Sequence, residues 1–179
     1  RVPVRRMTYC TMTRNVDSTA STLTPSTTIN SPSQRCNTLC TSTWVVAAST
    51  GPKPWRSETH LLISADQGES WKYSSPVATD AKVQFNETSL YETPKGDLVA
   101  FLRTENFNDH TAIARSTDHG KSFQPWQDAG WQGHPHYALR LPDRRVLLVY
   151  GYRHAPFGIR ARVLDAECTN FATAEEIIL

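Results

Sequence analysis

Glu87 and Arg103, a carboxylate and a guanidinium, flank a stretch that reads as strand, turn, strand. Ser89-Leu90-Tyr91-Glu92 leads into Thr93-Pro94-Lys95-Gly96-Asp97, and Leu98-Val99-Ala100-Phe101-Leu102 leads out, so a hairpin tipped by Lys95-Gly96 is expected. Pairing Pro94 with Asp97 sets Thr88 opposite Arg103 and Glu87 opposite Thr104, which makes Glu87 and Arg103 near neighbours at one end of the hairpin. A carboxylate in that place can move a proton or assist a nucleophile, and an arginine fork can hold a substrate carboxylate. On residue types alone, the pair reads first as a cross-strand ion pair of small worth.

A second group of candidates lies downstream, in Gly133-His134-Pro135-His136-Tyr137 and in Val149-Tyr150-Gly151-Tyr152-Arg153, followed by Arg160. With Asp143-Arg144 at the tip of another hairpin, Arg153 ends its strand facing His134, while Arg160 precedes the next strand. On residue type alone, either arginine reads as a solvated loop charge. His134 and His136 have no metal-ligand set around them and read as structural or rim histidines. Cys36 and Cys40 lack the four ligands of structural zinc, the nearest histidine being His60, so the cysteines read as unpaired or as a disulfide within the N-terminal segment. No metal or cofactor is expected.

The elements that must position these residues show themselves as repeats. Ser64-Ala65-Asp66-Gln67-Gly68-Glu69-Ser70-Trp71 recurs 52 residues later as Ser116-Thr117-Asp118-His119-Gly120-Lys121-Ser122-Phe123. In each copy the Asp carboxylate can accept from nearby backbone N–H groups while Gly takes a positive φ, and the aromatic (Trp71 or Phe123) re-enters the sheet as an anchor. The Ser89–Leu102 hairpin recurs at an offset of 48 as Tyr137–Tyr150, around Pro142-Asp143-Arg144. At that offset Phe123 corresponds to Phe171, but Leu164, Ala166 and Cys168 replace Ser116, Asp118 and Gly120, so the third turn reads as decayed. A unit of four antiparallel strands at a period of about 50 residues describes a propeller blade. The chain holds two such blades and part of a third, fewer than the roughly four to eight that close a ring, so a fragment of a longer propeller is expected.

Composition divides the chain. Residues 1–50 carry 19 Ser or Thr, five Arg and a single acid, Asp17, whereas the rest holds 14 basic and 16 acidic residues. Thr19 to Ser33 offers little apolar surface to offset chain entropy, so residues 1–50 read as irregular or disordered, or as foreign to the natural protein. Within them Trp44-Val45-Val46-Ala47-Ala48 suggests one short strand. Residues 51–179 form the partial propeller. No basic stripe with interleaved aromatics marks a nucleic-acid footprint, and no run nears the ~20 apolar residues that span a bilayer. No signal peptide is visible.

The two turns resemble Asp boxes, or BNR repeats, of the sialidase superfamily, a resemblance that covers residues 58–179 and implies an all-β fold, six-bladed in that family. Phe85-Asn86-Glu87-Thr88-Ser89-Leu90-Tyr91-Glu92 followed by Leu98 to Arg103 is the more specific part. The resemblance implies that Glu87 polarises a tyrosine nucleophile and that Arg103 is one of three arginines gripping the sialic acid carboxylate, with Arg153 or Arg160 another. It implies structural roles for Asp66, Gly68, Trp71, Asp118, Gly120 and Phe123. It further implies a sialoglycoconjugate or related carbohydrate as substrate and a secreted or periplasmic setting. The chain departs from the family in offering neither an Asp acid/base nor a nucleophilic Tyr, since Tyr150 and Tyr152 lie in the wrong blade. Arg1-Val2-Pro3 matches the family's Arg-Ile-Pro element in two residues of three, with no blade-like sequence after it. The leading expectation is a sialidase-like exo-glycosidase when complete, with this fragment inactive alone. The alternatives are a non-catalytic Asp-box propeller that binds glycan or protein, and a propeller glycosidase for another sugar.

Overall fold

The computed structural model describes residues 8–16, 56–66 and 69–179, the first of these for backbone only. Eleven strands form three antiparallel sheets and no helix appears among the described residues. The first sheet contains β1 (Thr8–Val16), β2 (Arg56–Ser64) and β3 (Lys72–Ala78) in that order. The second holds β4 (Phe85–Glu92), β5 (Leu98–Thr104), β6 (His110–Ser116) and β7 (Gln127–Gln132). The third holds β8 (His136–Arg140), β9 (Val146–Tyr152), β10 (Gly158–Leu164) and β11 (Glu176–Ile178). Each four-stranded sheet is a meander, its first three strands joined by short turns and its last strand by a longer loop that carries the Asp turn, the blade that the 50-residue period implies.

Packing explains the apolar pattern. Side chains alternate across a strand, so a run buried throughout must be covered on both faces. Leu98 to Leu102 is such a run, fully buried. Leu98, Ala100 and Leu102 face Leu61, Val77 and Ala78 of the first sheet, while Val99 and Phe101 face Val146, Leu148, Tyr150 and Leu164 of the third. The middle blade is thus sandwiched between its neighbours. The third blade repeats the alternation, but Tyr137, Leu139, Ile159 and Ile177 on its far face remain 40–60% exposed. The pairings Tyr137↔Val149, Leu139↔Leu147 and Ala161↔Ile177 place these residues on one apolar face, of the kind a further blade covers in the middle sheet.

Two local expectations need correction. Both hairpins are one residue out of the expected register, because each tip has three residues instead of two: Thr93 N donates to Asp97 O and Leu141 N to Arg145 O. Three-residue hairpin loops end on a left-handed residue, and Gly96 (φ 91°) and Arg144 (φ 74°) fill that place. Secondly, β1 lies within the segment read as irregular. Its Thr, Tyr, Met and Val residues suit a strand, but the strand is specified by β2, which pairs with it from Thr8↔Ser64 to Val16↔Arg56, far away in sequence. The strand expected at Trp44–Ala48, the pair Cys36 and Cys40, the Arg1-Val2-Pro3 element and Gly68 lie outside the described residues.

Candidate active site

The two ends of the blades do different things. The Asp turns join β2 to β3 and β6 to β7 at one end. At the other end lie the start of β4, the end of β5, the β5–β6 loop, the start of β8 and the β9–β10 loop. Glu87, Arg103, Asp109, His134, Arg153 and His154 all belong to that second end.

The Asp turns are closed by their own side chains. Asp118 Oδ1 accepts from Ser122 N at 3.0 Å and Ser116 Oγ at 2.8 Å, and Oδ2 accepts from Ser122 Oγ at 2.6 Å. Those donors, the Ser122 hydroxyl foremost, hold the Asp118 carboxyl down at about 2. Asp66 is held well below the usual carboxylate range in the same way, chiefly by the hydroxyls of Ser70 and Ser64. Gly120 O accepts from Ser74 and Ser75 of β3, tying the second turn to the first blade, and Phe123 packs against the core between them. Trp71 is half-buried at the start of β3. The third turn has not decayed. Asp165 accepts from the backbone of Glu167, Thr169 and Asn170 and from the Thr169 hydroxyl, one residue earlier than the repeat offset places it. Cys168, a free buried thiol, takes a left-handed φ of 55° inside it.

At the opposite end, a register shift between Phe85 and Thr88 bulges β4 at Asn86-Glu87. Bulges re-aim side chains and favour the neighbourhood of sites. This one is held by Asn86, whose Oδ1 accepts from Glu87 N at 2.7 Å and whose backbone O accepts from Thr88 Oγ1 at 2.9 Å. The Arg103 Nη1 group donates to Glu87 Oε2 at 2.7 Å, with the Glu87 side chain 41% exposed and that of Arg103 21%. The proximity expected from the hairpin is therefore present, although the one-residue register shift and the bulge, rather than a regular ladder, produce it.

A second cluster stands beside this pair and escaped the sequence reading. Asp109 Oδ1 accepts from His134 Nε2 at 3.2 Å, and Asp109 Oδ2 lies 3.2 Å from His154 Nε2, off the line of a hydrogen bond. Asn108 and Asp109 both have left-handed backbones, φ 50° and 56°, a strained conformation for non-glycine residues that clusters at functional sites. Burial, followed by the charges of Arg103 and Arg153, pushes the His134 pKa down against the opposing pull of Asp109. His136 is also buried, among Phe101, Trp131 and Tyr150, and burial takes its pKa down to about 3. With its Nε2 2.8 Å from Thr111 Oγ1, it is a structural histidine.

The two arginine candidates separate. Arg160 does not precede a strand but lies inside β10, 4% exposed, its Nη2 donating to Pro156 O at 3.0 Å and its Nε 3.8 Å from Glu176. Its guanidinium also lies over the Tyr152 ring. Arg153, by contrast, is exposed at the end holding Glu87. Tyr150 donates its hydroxyl to Glu176 Oε1 at 2.7 Å and accepts from Arg162 Nε at 3.0 Å. Burial raises its pKa far above the usual phenol value, which suits a core tyrosine and not a nucleophile. No group of His, Cys, Asp and Glu among the described residues is arranged to hold a metal ion, and no helix among them is long and apolar enough to cross a membrane.

Known proteins agree with this architecture. A family model described as BNR repeat-like domain matches residues 12–164, so the match extends into the Ser/Thr-rich segment. No curated protein sequence matches the chain. Among solved structures, a Dyadobacter fermentans protein of unknown function is 66% identical, with a TM-score of 0.70, over 70% of this chain and 35% of that one. The α-L-arabinanase of Penicillium chrysogenum, solved with arabinobiose, is 18% identical, TM-score 0.56, over 69% of this chain and 40% of its own. The α-L-arabinofuranosidase Arb93A of Fusarium graminearum, solved with an iminosugar inhibitor, is 17% identical, TM-score 0.55, over 69% and 41%. The chain thus spans well under half the length of each. Matched repeats, antiparallel blades and self-closed Asp turns together show that the chain belongs to the BNR repeat-like family and folds as part of a β-propeller.

Proposed function

We propose that the complete propeller is an exo-acting glycoside hydrolase of sialidase type, which removes terminal sialic acid from glycoconjugates. The observation that carries this reading is the contact of Arg103 with Glu87 at 2.7 Å, partly open to solvent, at the end of the blades away from the Asp turns. In such a site Glu87 assists a tyrosine supplied by another blade by accepting its proton, and a neutral phenol avoids the repulsion that a carboxylate nucleophile would meet from the substrate's own carboxylate. Only one of the five N–H donors of Arg103 is directed at Glu87, and a planar fork suits a carboxylate. Exposed Arg153 is the better second cation, because Arg160 is engaged with Pro156 and Glu176.

That engagement of Arg160 also favours a second reading, a propeller glycosidase for a neutral sugar, in which Glu87 acts without a full carboxylate clamp. The test is a substrate panel on the complete protein: a fluorogenic sialoside beside a chromogenic arabinofuranoside. Turnover of the sialoside supports the first reading and turnover of the arabinofuranoside alone supports the second. Failure on both, with glycan binding retained, returns the protein to a non-catalytic lectin-like propeller.

A further inference from the structure

Phe85, Glu87 and Thr88 lie where a regular strand could not put them. Side chains alternate along a strand, so Phe85 and Glu87 should share one face and Thr88 should take the other. Instead Phe85 and Thr88 face the first blade together. Phe85 is fully buried with Leu61, Leu98 and Leu102, and Thr88 Oγ1 lies 3.4 Å from Thr59 Oγ1. Glu87 turns the other way, to Arg103, which follows Val99 and Phe101 on the face toward the third blade. The bulge at Asn86-Glu87 reconciles the two directions. A bulge also leaves its extra residue outside the ladder, so a backbone group there needs another partner.

One side chain supplies that partner and ties it down. Asn86 Oδ1 accepts from Glu87 N at 2.7 Å, and Asn86 Nδ2 donates to Glu105 Oε1 at 2.6 Å. Glu105 is fixed in turn, its N donating to Gln84 O at 3.2 Å. The carboxamide thus joins the peptide of Glu87 to the loop that continues β5 beyond Arg103. It needs an acceptor at one end and a donor at the other: aspartate lacks the donor, and leucine lacks both.

We propose that Asn86 is the positioning residue of Glu87, its carboxamide fixing the bulge that turns the carboxylate onto Arg103, with Glu105 as the post to which it is fastened. Asn106 provides the contrast. Its Oδ1 accepts from Gln84 N at 2.8 Å and its Nδ2 donates to Lys82 O at 2.5 Å, so it ties the same two stretches of chain together ahead of the bulge. Asn106 fastens the crossing, whereas Asn86 aims the side chain.

The inference rests on the reading of Glu87 as a working carboxylate, and two readouts on the complete protein separate them: steady-state turnover of the sialoside or arabinofuranoside, and the ¹⁵Nη signals of Arg103, whose rotation the Glu87 contact slows. Misplacing a reacting group by about 1 Å can cost roughly 10²-fold, so Asn86→Ala should lower kcat by about 10–100-fold with KM little changed. It should also free the Arg103 guanidinium. Asn106→Ala should keep both kcat and the slowed Arg103 signals, although it removes two bonds from the same crossing. Asn86→Asp, which sets a second carboxylate against Glu105, should lose turnover. Adding Glu105→Gln to it reverses the bond, the new amide donating to the new carboxylate, and should restore turnover. Should Asn86→Ala fail to fold, that rescue decides. Full kcat in Asn86→Ala, equal losses in Asn86→Ala and Asn106→Ala, or an Arg103 contact that survives Asn86→Ala would overturn the positioning role and leave the glycosidase reading standing. Turnover of neither sugar by the wild type would overturn that reading, while release of Arg103 in Asn86→Ala alone would still support the role of Asn86.

Discussion

Gly120 is where the Asp turn, the blade interface and the backbone constraint meet, and Gly120→Ala tests all three. Its φ is +81°, and an added Cβ would lie 2.3 Å from Leu61 Cδ2 and 3.1 Å from Leu98 Cδ1, both residues fully buried between the first two blades. A left-handed backbone costs an alanine roughly 1–2 kcal/mol, and overpacking a well-filled core costs about 1–3 kcal/mol more. Gly130 supplies the control, since its φ is +79° but nothing lies within 4 Å of its added Cβ. Gly130→Ala should therefore cost only the backbone share, about 1–2 kcal/mol, and Gly120→Ala about 2–5 kcal/mol. Equilibrium urea unfolding followed through the five tryptophans reads the difference directly. With a slope of about 1–3 kcal/mol per molar urea, the gap between the two variants should be of order 1 M in midpoint. Equal losses, or a larger loss for Gly130→Ala, would refute the claim that the second Asp turn is wedged against the first blade.

Three other perturbations follow from the same geometry. The buried, neutral His136 has a folded pKa of about 3 against an ordinary 6.5, so its share of stability is complete above pH 6.5 and drains away as pH falls toward 3. Between pH 6.5 and 5, above the ordinary range of aspartates, His136→Gln should remove about one proton from the pH slope of the urea midpoint, His134 retaining a smaller dependence of the same sign; an unchanged slope contradicts the burial of His136. Arg160→Gln should lower the unfolding midpoint, because a buried side chain loses Pro156, Glu176 and Tyr152, whereas Arg153→Gln should leave stability unchanged and raise the KM for an acidic sugar; the reverse ranking sinks the division between them. Asp165→Ala should destabilise the third blade by about 1–2 kcal/mol, as loss of a cap does, seen as faster amide exchange of Glu167, Thr169 and Asn170; unaltered exchange means the turn does not depend on it.

Local repeats made the architecture legible, and non-local contacts account for most of what was missed. The turns at Asp66 and Asp118 and the run from Leu98 to Leu102 carry their meaning within a few residues: hydroxyls spaced around a carboxylate, and an apolar stretch bounded by turn residues. The neighbourhood of Glu87 and Arg103 was equally readable, because a hairpin maps sequence spacing onto distance. Its register was not, since Gly96 and Arg144 at the left-handed ends of three-residue loops shift both hairpins by one. The third Asp turn hid because Asp165 arrives a residue early and Cys168 takes a backbone conformation usually left to glycine. β1 hid because its partner β2 lies about 50 residues on. Asp109 and His154 sit in separate polar loops, and nothing in either loop announces the other. The one available signal was a carboxylate in Asn106-Phe107-Asn108-Asp109-His110 at the same blade end as His134. Arg153 and Arg160 are chemically alike in sequence; only burial separates them.

The proposed glycosidase activity requires Glu87 to be a working carboxylate and not an incidental partner of Arg103. The direct measurement is steady-state turnover of a fluorogenic sialoside by the complete protein and its Glu87→Gln variant, alongside their urea midpoints. Loss of a carboxylate that takes a proton during reaction should lower kcat by roughly 10²–10⁴-fold. The midpoint should hardly move, since a partly exposed ion pair contributes at most about 1 kcal/mol. Wild-type turnover by Glu87→Gln, with its fold intact, would contradict the assignment.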